Sequence, residues 1–433
     1  MSTAHCPALL VTAPASGQGK TTITAGLARH HRRLGRRVRV FKVGPDFLDP
    51  MILERASGAP VYSLDLWMVG EDACSAMLAD AAADADLILV EGVMGLYDGT
   101  PSSADIAARF NIPVMPVISA KAMAQTFGAV ATGLAHYRPG LPFHGVFANR
   151  VGSPHHATML RESLPLGMRW AGHVAAEGDI ELPDRHLGLF QASEIADLDR
   201  RLDLAADALS GQPIVELPAP VEFRAEPMPK LRRTLEGKRI AVARDAAFSF
   251  VYPANLDLLV SLGAELRGFS PLADEAVPDA DALYLPGGYP ELHAARLTGN
   301  RRSAEAIRGL IDAGKPVLAE CGGMLYLMEH LTDQQGETFP MLGVLPGHAT
   351  MQRRLAALGM QQLDTAHGAL TGHCFHYSKI ETPLTPRLRA LHPLRGSPGE
   401  ALHQQGSVTA TYMHGYWPSN PAFITAIFNG QAV

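Results

Sequence analysis

The stretch Ala13-Pro14-Ala15-Ser16-Gly17-Gln18-Gly19-Lys20-Thr21-Thr22 decides how the first half of this chain is read. An apolar run from Ala8 to Pro14 leads into it, and a helical pattern from Thr21 to Gly35 leads out, so strand, glycine-rich turn and helix follow in order. Glycines in such a turn let backbone N–H groups face a phosphate, and the start of a helix adds a favourable field. Lys20 is placed to reach the outer phosphates, and Thr21 to offer its hydroxyl to Mg²⁺. The strict pattern GxxxxGK[ST] wants Gly where Pro14 stands, so this is a variant phosphate loop. A glycine-rich surface turn before an ordinary helix is the plainer alternative. The flanking strand and helix favour a nucleotide, with Ser16, Gly17, Gly19, Lys20, Thr21 and Thr22 as its contacts.

Further buried strands are expected at Val38 to Val43, Leu87 to Val90, Val114 to Ile118 and Gly145 to Ala148, separated by Ala-rich helical stretches. That alternation specifies an α/β domain with a parallel sheet covered by helices. In such a sheet the carboxyl ends of the strands share one crevice. Asp46 and Asp49 follow the second strand, Glu91 and Asp98 the third, so all four are expected near the phosphates. Hard oxygen ligands suit Mg²⁺, which points to Asp46 and Glu91 together with Thr21. The alternative makes these carboxylates helix caps and turn formers. Asn149, just past a strand, is a candidate adenine contact.

At 433 residues the chain exceeds what one core usually organises, so two domains of roughly 200 residues are expected. Pro213, Pro218, Pro220, Pro227 and Pro229 exclude helix and central strand around them. The division expected is 1–195, a helical and Pro-rich linker over 196–236, and 237–433. A formal charge of −6 gives no broad basic surface for nucleic acid. No apolar run approaches the roughly 20 residues that span a bilayer, and the opening MSTAHCPALLVTAP lacks a charged n-region, so a cytoplasmic protein is expected. The four cysteines form no CxxC pair and are too scattered for a disulfide framework or zinc site.

In Lys315-Pro316-Val317-Leu318-Ala319-Glu320-Cys321-Gly322-Gly323-Met324-Leu325-Tyr326 a short strand, expected from Pro316 to Glu320, runs into one residue, two glycines and a helix. That geometry lifts a side chain above a sheet, and the helix start favours a thiolate over a thiol whose free pKa is about 8.5. Cys321 is therefore the candidate nucleophile. An inert buried cysteine needs no such glycines, whereas Cys6, Cys74 and Cys374 lack this context and are read as structural. His414 in Tyr412-Met413-His414-Gly415-Tyr416-Trp417 is the candidate base. The loop Leu285-Pro286-Gly287-Gly288 ends another strand, and N–H groups of Gly287, Gly288 and Gly322 are candidates for an oxyanion hole. Together these pieces suit acyl transfer.

The ordered motifs APASGQGKTT, GPDFLDP, EGVMGLYDG, LPGGYPEL, ECGGMLYL, GVLPGHATM, GHCFHYS and HGYWP cover nearly the whole chain. In these the chain resembles the glutamine-dependent cobyrinic (or hydrogenobyrinic) acid a,c-diamide synthases. The resemblance implies an N-terminal domain similar to dethiobiotin synthetase and a C-terminal domain similar to class I (triad) glutamine amidotransferases. It implies ATP as co-substrate, Mg²⁺, L-glutamine and a corrinoid or tetrapyrrole carboxylate, with no nucleic acid or membrane partner; a homodimer stays open. Lys20, Thr21, Asp46, Asp49 and Glu91 look like the Mg-ATP set, with Asp98 beside them, and Cys321 and His414 like the glutaminase pair. Many triad relatives carry Glu two positions after the His, where this chain has Tyr416. Cys374 stands where Glu is expected in many relatives, and His373 and His376 are open between site and structure. An extended loop is expected to present Phe47 and Leu48 to the macrocycle. Three rivals remain: a sister tetrapyrrole amidotransferase acting on nickel sirohydrochlorin or, like cobyric acid synthase, on later side chains; a deviant phosphate-loop partitioning ATPase, whose signature Lys is replaced by Ala15; and a dethiobiotin synthetase alone, which leaves Arg239 onward without purpose.

Overall fold

The computed structural model describes residues 2–176, 178–185 and 188–431, which form two compact units meeting in sequence at Pro229 and Lys230. In the first unit the strands are β1 (Ser2–Thr12), β2 (Val38–Val43), β3 (Tyr62–Leu64), β4 (Leu87–Glu91), β5 (Val114–Ser119), β6 (Val146–Val151) and β7 (Trp170–Ala175). They lie in the order β3-β2-β4-β1-β5-β6-β7 with every neighbouring pair parallel. Every residue of β4 is buried, as a strand covered on both faces requires, which is why its sequence reads as an unbroken apolar run ending in Glu91. The helix α1 (Lys20–Arg33) begins one residue before the expected start.

The expected linker over 196–236 is corrected. Helix Leu198–Leu209 buries Leu198, Leu202, Ala205, Ala206 and Leu209, a single 3.6-residue stripe, in the core of the first unit. It lies so close to α1 that a Cβ on Gly26 would come within 3.1 Å of the Ala205 backbone. Arg29 on α1 grips Asp203 with both ends of its guanidinium, Nε to Oδ1 at 2.7 Å and Nη2 to Oδ2 at 3.2 Å. Beyond it, Pro220–Ala225 is a strand after all, pairing antiparallel with the first half of β1. Pro218, Pro227 and Pro229 fall outside the strand and Pro220 opens it, positions where a missing N–H does no harm. Residues 230–236 go with the second unit, where Leu235 is fully buried. Leu202→Ala is accordingly expected to destabilise the first unit by about 2–5 kcal/mol in urea denaturation; no shift would take this helix out of the core.

The second unit opens with parallel strands. Glu265–Phe269, Arg239–Ala243, Ala282–Leu285, Val317–Glu320 and Val408–Thr411 are adjacent in that order. The sheet continues antiparallel through Pro398–Gln405, Leu388–Leu391, Ala357–Thr365 and Gly368–His376 to the short strand His414–Gly415. A second sheet holds Met328–Thr332, Thr338–Pro340, Leu345–Met351 and Ser378–Glu381. Among the described residues no helix is long and apolar enough to cross a membrane.

Candidate functional site

The carboxyl ends of β1, β2, β4 and β6 bring the phosphate loop and the acidic residues together. A cavity of about 470 Å³ is lined by Ser16, Gly17, Gly19, Lys20, Thr21, Thr22, Lys42, Asp46, Asp49 and Asn149, among others. Gly17 and Gly19 have φ of +75° and +91°, a region L side chains rarely adopt, so the turn needs glycine at both. A side chain at Gly19 would also strike the Asn149 amide, with a contact of 2.2 Å.

Lys20 is almost fully buried and its Nζ donates to the Met94 carbonyl at 2.8 Å. Burial lowers its pKa, with Glu91 pulling the other way. Thr21 Oγ1 donates to Glu91 Oε1 at 3.2 Å. The other oxygen, Glu91 Oε2, is buried with no hydrogen-bond partner. An orphaned carboxylate oxygen beside the phosphate-loop hydroxyl fits a divalent cation. Among the described residues no group of three or more His, Cys, Asp or Glu is arranged to hold a metal, so protein oxygens alone would leave its shell incomplete. That suits Mg²⁺, which completes its octahedron with water and substrate phosphate.

Asp46 does two things. Its Oδ1 accepts the N–H groups of Leu48 at 2.9 Å and Asp49 at 3.2 Å, starting helix α2 (Leu48–Ser57), while its Oδ2 lies 3.6 Å from Lys42 Nζ. This corrects the expected extended loop: Leu48 opens a helix, and Phe47 and Leu48 are half-buried and do not line the cavity. Asp98 is a turn former as well, its Oδ2 accepting Gly95 N–H at 2.8 Å. The turn it closes is bonded to the phosphate loop, Leu96 N–H donating to Ala13 O at 2.9 Å. Asn149 has a different task from the adenine contact expected: its Nδ2 donates to Gln18 O at 2.8 Å, while Gln18 Oε1 accepts Ser119 N–H at 2.8 Å. Asn149 thus buttresses the loop from β6.

Lys42 is the residue that sequence reasoning missed. It is buried at the end of an apolar strand, with Nζ donating to Asp49 Oδ2 at 2.5 Å and Glu91 Oε1 at 2.7 Å. Burial alone would favour the neutral amine, but Asp49, Glu91 and Asp46 hold its pKa well above the usual lysine value. Burial pushes Glu91 up, with Lys42 opposing. One ammonium among three carboxylates leaves the cluster short of positive charge. The signal was present in Val38-Arg39-Val40-Phe41-Lys42-Val43, where a buried strand carries a cation one residue from its end.

In the second unit Cys321 stands at φ +45°, ψ −109°, between strand Val317–Glu320 and the short helix Gly322–Leu327. Its N–H donates to Thr411 O at 2.7 Å. The following glycines are required by contact: a Cβ on Gly323 would lie 2.0 Å from Leu285 O, and one on Gly322 would lie 2.8 Å from Pro290 and 3.0 Å from Gly288 N. A Cβ on Gly287 would lie 2.3 Å from His414 Cε1 and 3.3 Å from Cys321 Cβ. The sequence-predicted set of Cys321, His414, Gly287, Gly288 and Gly322 is therefore in one place. The expected lowering of the thiol pKa does not appear. Burial pushes the Cys321 thiol up, Glu291 adds to it, and the N–H of Gly322 opposes without winning. His414 is held well below the ordinary histidine value by burial, with His373 and His376 adding. The resting pair is thus neutral thiol and neutral imidazole, and the thiolate has to be made by proton transfer.

His373 lies beside this pair: its ring stacks on that of His414 with centroids 5.1 Å apart, and its Nδ1 is 2.9 Å from the Tyr252 hydroxyl. His376 sits between Ser378 O and Glu400 Oε1, at 2.9 and 3.2 Å. Cys6, Cys74 and Cys374 are buried free thiols; the side-chain amide of Gln361 donates to Cys374 Sγ at 2.8 Å.

Residues 9–187 match the CobQ/CobB/MinD/ParA nucleotide binding domain, and residues 239–422 match the CobB/CobQ-like glutamine amidotransferase domain. A hydrogenobyrinate a,c-diamide synthase of Pseudomonas aeruginosa is 60% identical over 427 residues, covering 99% of this chain and 98% of the relative. Another, of Stutzerimonas stutzeri, is 58% identical with 99% of each covered. A cobyrinate a,c-diamide synthase of Herminiimonas arsenicoxydans is 50% identical, with 98% and 97% covered. An α/β nucleotide-binding unit and a glutamine amidotransferase unit, aligned almost end to end with these relatives, make this chain a member of the hydrogenobyrinate and cobyrinate a,c-diamide synthase family.

Proposed function

We propose that this chain amidates the a and c acetate carboxylates of hydrogenobyrinate or cobyrinate, with ATP as activator and glutamine as nitrogen donor. The observation that carries the reading is the elbow at Cys321, where one glycine touches both the nucleophile and the His414 ring. A chain that only hydrolysed a nucleotide would have no use for it.

An acetate anion is a poor electrophile, and phosphorylation gives its oxygen a leaving group. Catalysis there is mostly positioning and charge stabilisation. Lys20 exchanges the Met94 carbonyl for phosphate oxygens, and loop N–H groups from Ser16 to Thr22 hold the rest. Thr21 and Glu91, with Asp46 beside them, are the residues to hold Mg²⁺, which when bound supplies further positive charge against the phosphates. Lys42 keeps Asp46, Asp49 and Glu91 from repelling one another. In the second unit Cys321 Sγ attacks the glutamine carboxamide carbon as His414 takes the thiol proton. The oxyanion rests on N–H groups of the Gly287, Gly288 and Gly322 turn. His414 returns the proton to the departing ammonia, and water then cleaves the thioester to glutamate. Ammonia displaces phosphate from the acyl phosphate; two acetates consume two ATP and two glutamine.

Cobyrinate, hydrogenobyrinate and nickel sirohydrochlorin, assayed side by side with ATP and glutamine, test the acceptor. One of the first two is expected to exceed the third in kcat/KM by at least about tenfold. Substitutions at Phe47 and Leu48 are expected to move the KM for the macrocycle. Preference for the nickel tetrapyrrole would transfer the reading to a sister enzyme.

A further inference from the structure

We infer that Glu320 and Asn255 are the positioning residues for His414, gripping its backbone segment from two sides. The inference rests on the amidotransferase reading above and names what sets its base.

Glu320 is the last residue of strand Val317–Glu320, covalently next to Cys321, and its side chain is buried. Its Oε1 accepts two hydrogen bonds, from the Gly415 N–H at 3.1 Å and from the Trp417 indole N–H at 3.0 Å. Its Oε2 accepts the Tyr284 hydroxyl at 2.7 Å. Asn255, near the start of helix Pro253–Ser261, is equally buried. Its Nδ2 donates to the Gly415 carbonyl at 2.8 Å, and its Oδ1 accepts the Trp417 N–H at 2.9 Å. Both backbone groups of the residue after His414 are thus held by side chains, and so are both N–H groups of Trp417.

This grip matters because the space for the ring is narrow. Gly287 touches the imidazole on one side, and His373, paired with His414 in strand register, stacks on it. A shift of the 414–417 segment would carry the ring away from Cys321. The nucleophile is tied to the same stretch, since Cys321 N–H donates to Thr411 O three residues before His414. Tyr416 occupies the place where many triad amidotransferases carry a carboxylate, and its N–H is spent on Thr371 O at 2.8 Å. Glu320 supplies a carboxylate to the backbone of this segment instead. An apolar side chain at 320 would fill the volume without the cost of desolvating a carboxylate. It would also strip acceptors from two buried N–H groups beside the base.

The test is Glu320→Ala and Glu320→Gln, assayed for synthesis with glutamine and with ammonium salts. A misplacement near 1 Å costs about 100-fold, so Glu320→Ala is expected to lower kcat with glutamine by about that factor. The KM for glutamine and the ammonia-dependent rate should stay near the parent's. Glutamine at 320 can set its carbonyl at the Oε1 position and turn its NH₂ to the Tyr284 oxygen, so Glu320→Gln is expected to recover the parent kcat to within about threefold. Parent-like glutamine use by Glu320→Ala, equal loss with both donors, or no recovery in Glu320→Gln would each overturn the inference. Should Glu320→Ala fail to fold, Asn255→Ala, which removes the other grip, carries the same expectations and the same refutation. Cys321→Ala separates the two levels. If it keeps glutamine use, the amidotransferase reading falls; if it loses it while the Glu320 and Asn255 variants do not, only the positioning role falls.

Discussion

Lys20→Met is expected to lower ATP-dependent amide formation by about 100- to 1,000-fold with glutamine and with ammonia alike. Methionine keeps most of the lysine stem and its packing, so the change removes a charge more than a volume. That charge lies in a nearly buried position beside Glu91 and the phosphate loop, where water screens it weakly. At rest it is held by one carbonyl, that of Met94, a contact easily exchanged for phosphate oxygens. Lys42→Met is the contrasting case: it leaves Asp49 and Glu91 buried without their cation, which costs about 3–5 kcal/mol of folding stability. ADP release and amide formation with saturating ammonium salts check the prediction. A Lys20→Met protein that synthesises amide at the parent rate would remove Lys20 from the chemistry.

Cys321→Ala is expected to reduce glutamine-dependent synthesis by at least about 10⁴-fold while ammonia-dependent synthesis stays within about threefold of the parent. Alanine keeps a Cβ at φ +45°, so the backbone strain and the packing against Gly287 are unchanged. What disappears is the sulfur alone. Because burial raises the thiol and lowers His414, the sulfur reacts only as its proton passes to the imidazole. A histidine whose folded pKa lies well below 6.5 remains an unprotonated base throughout the neutral range, so the glutaminase step should show no acid limb near pH 6.5 arising from His414.

Much of both sites was legible because their signals are local. A strand, a turn whose glycines take positive φ and a helix start are consecutive, so Gly17, Gly19 and Lys20 could be placed from sequence alone. The same holds for Cys321 and the glycines after it. His414 lay 93 positions on (414 − 321) and entered through the joint pattern. The misses are long-range. Lys42 and Glu320 are ionisable groups at the ends of apolar strands, and only tertiary packing shows which donors and acceptors they meet. Asn149 and Asp98 turned out to brace loops, because small polar side chains satisfy nearby backbone groups as readily as ligands. Prolines at 218, 220, 227 and 229 suggested a linker, yet they flank an edge strand whose alternating Val221, Phe223 and Ala225 face the core. The antiparallel C-terminal part of the second sheet was not anticipated, since its strands pair across large sequence separations that no local pattern encodes.

The most direct test of the two-site account is to follow nitrogen. Parent protein is given ATP, the macrocyclic acceptor, glutamine labelled with ¹⁵N in its amide, and a small excess of unlabelled ammonium. The account predicts product carrying the label from glutamine in the parent and only unlabelled nitrogen in Cys321→Ala. Unlabelled product from the parent, or labelled product from the variant, would contradict it.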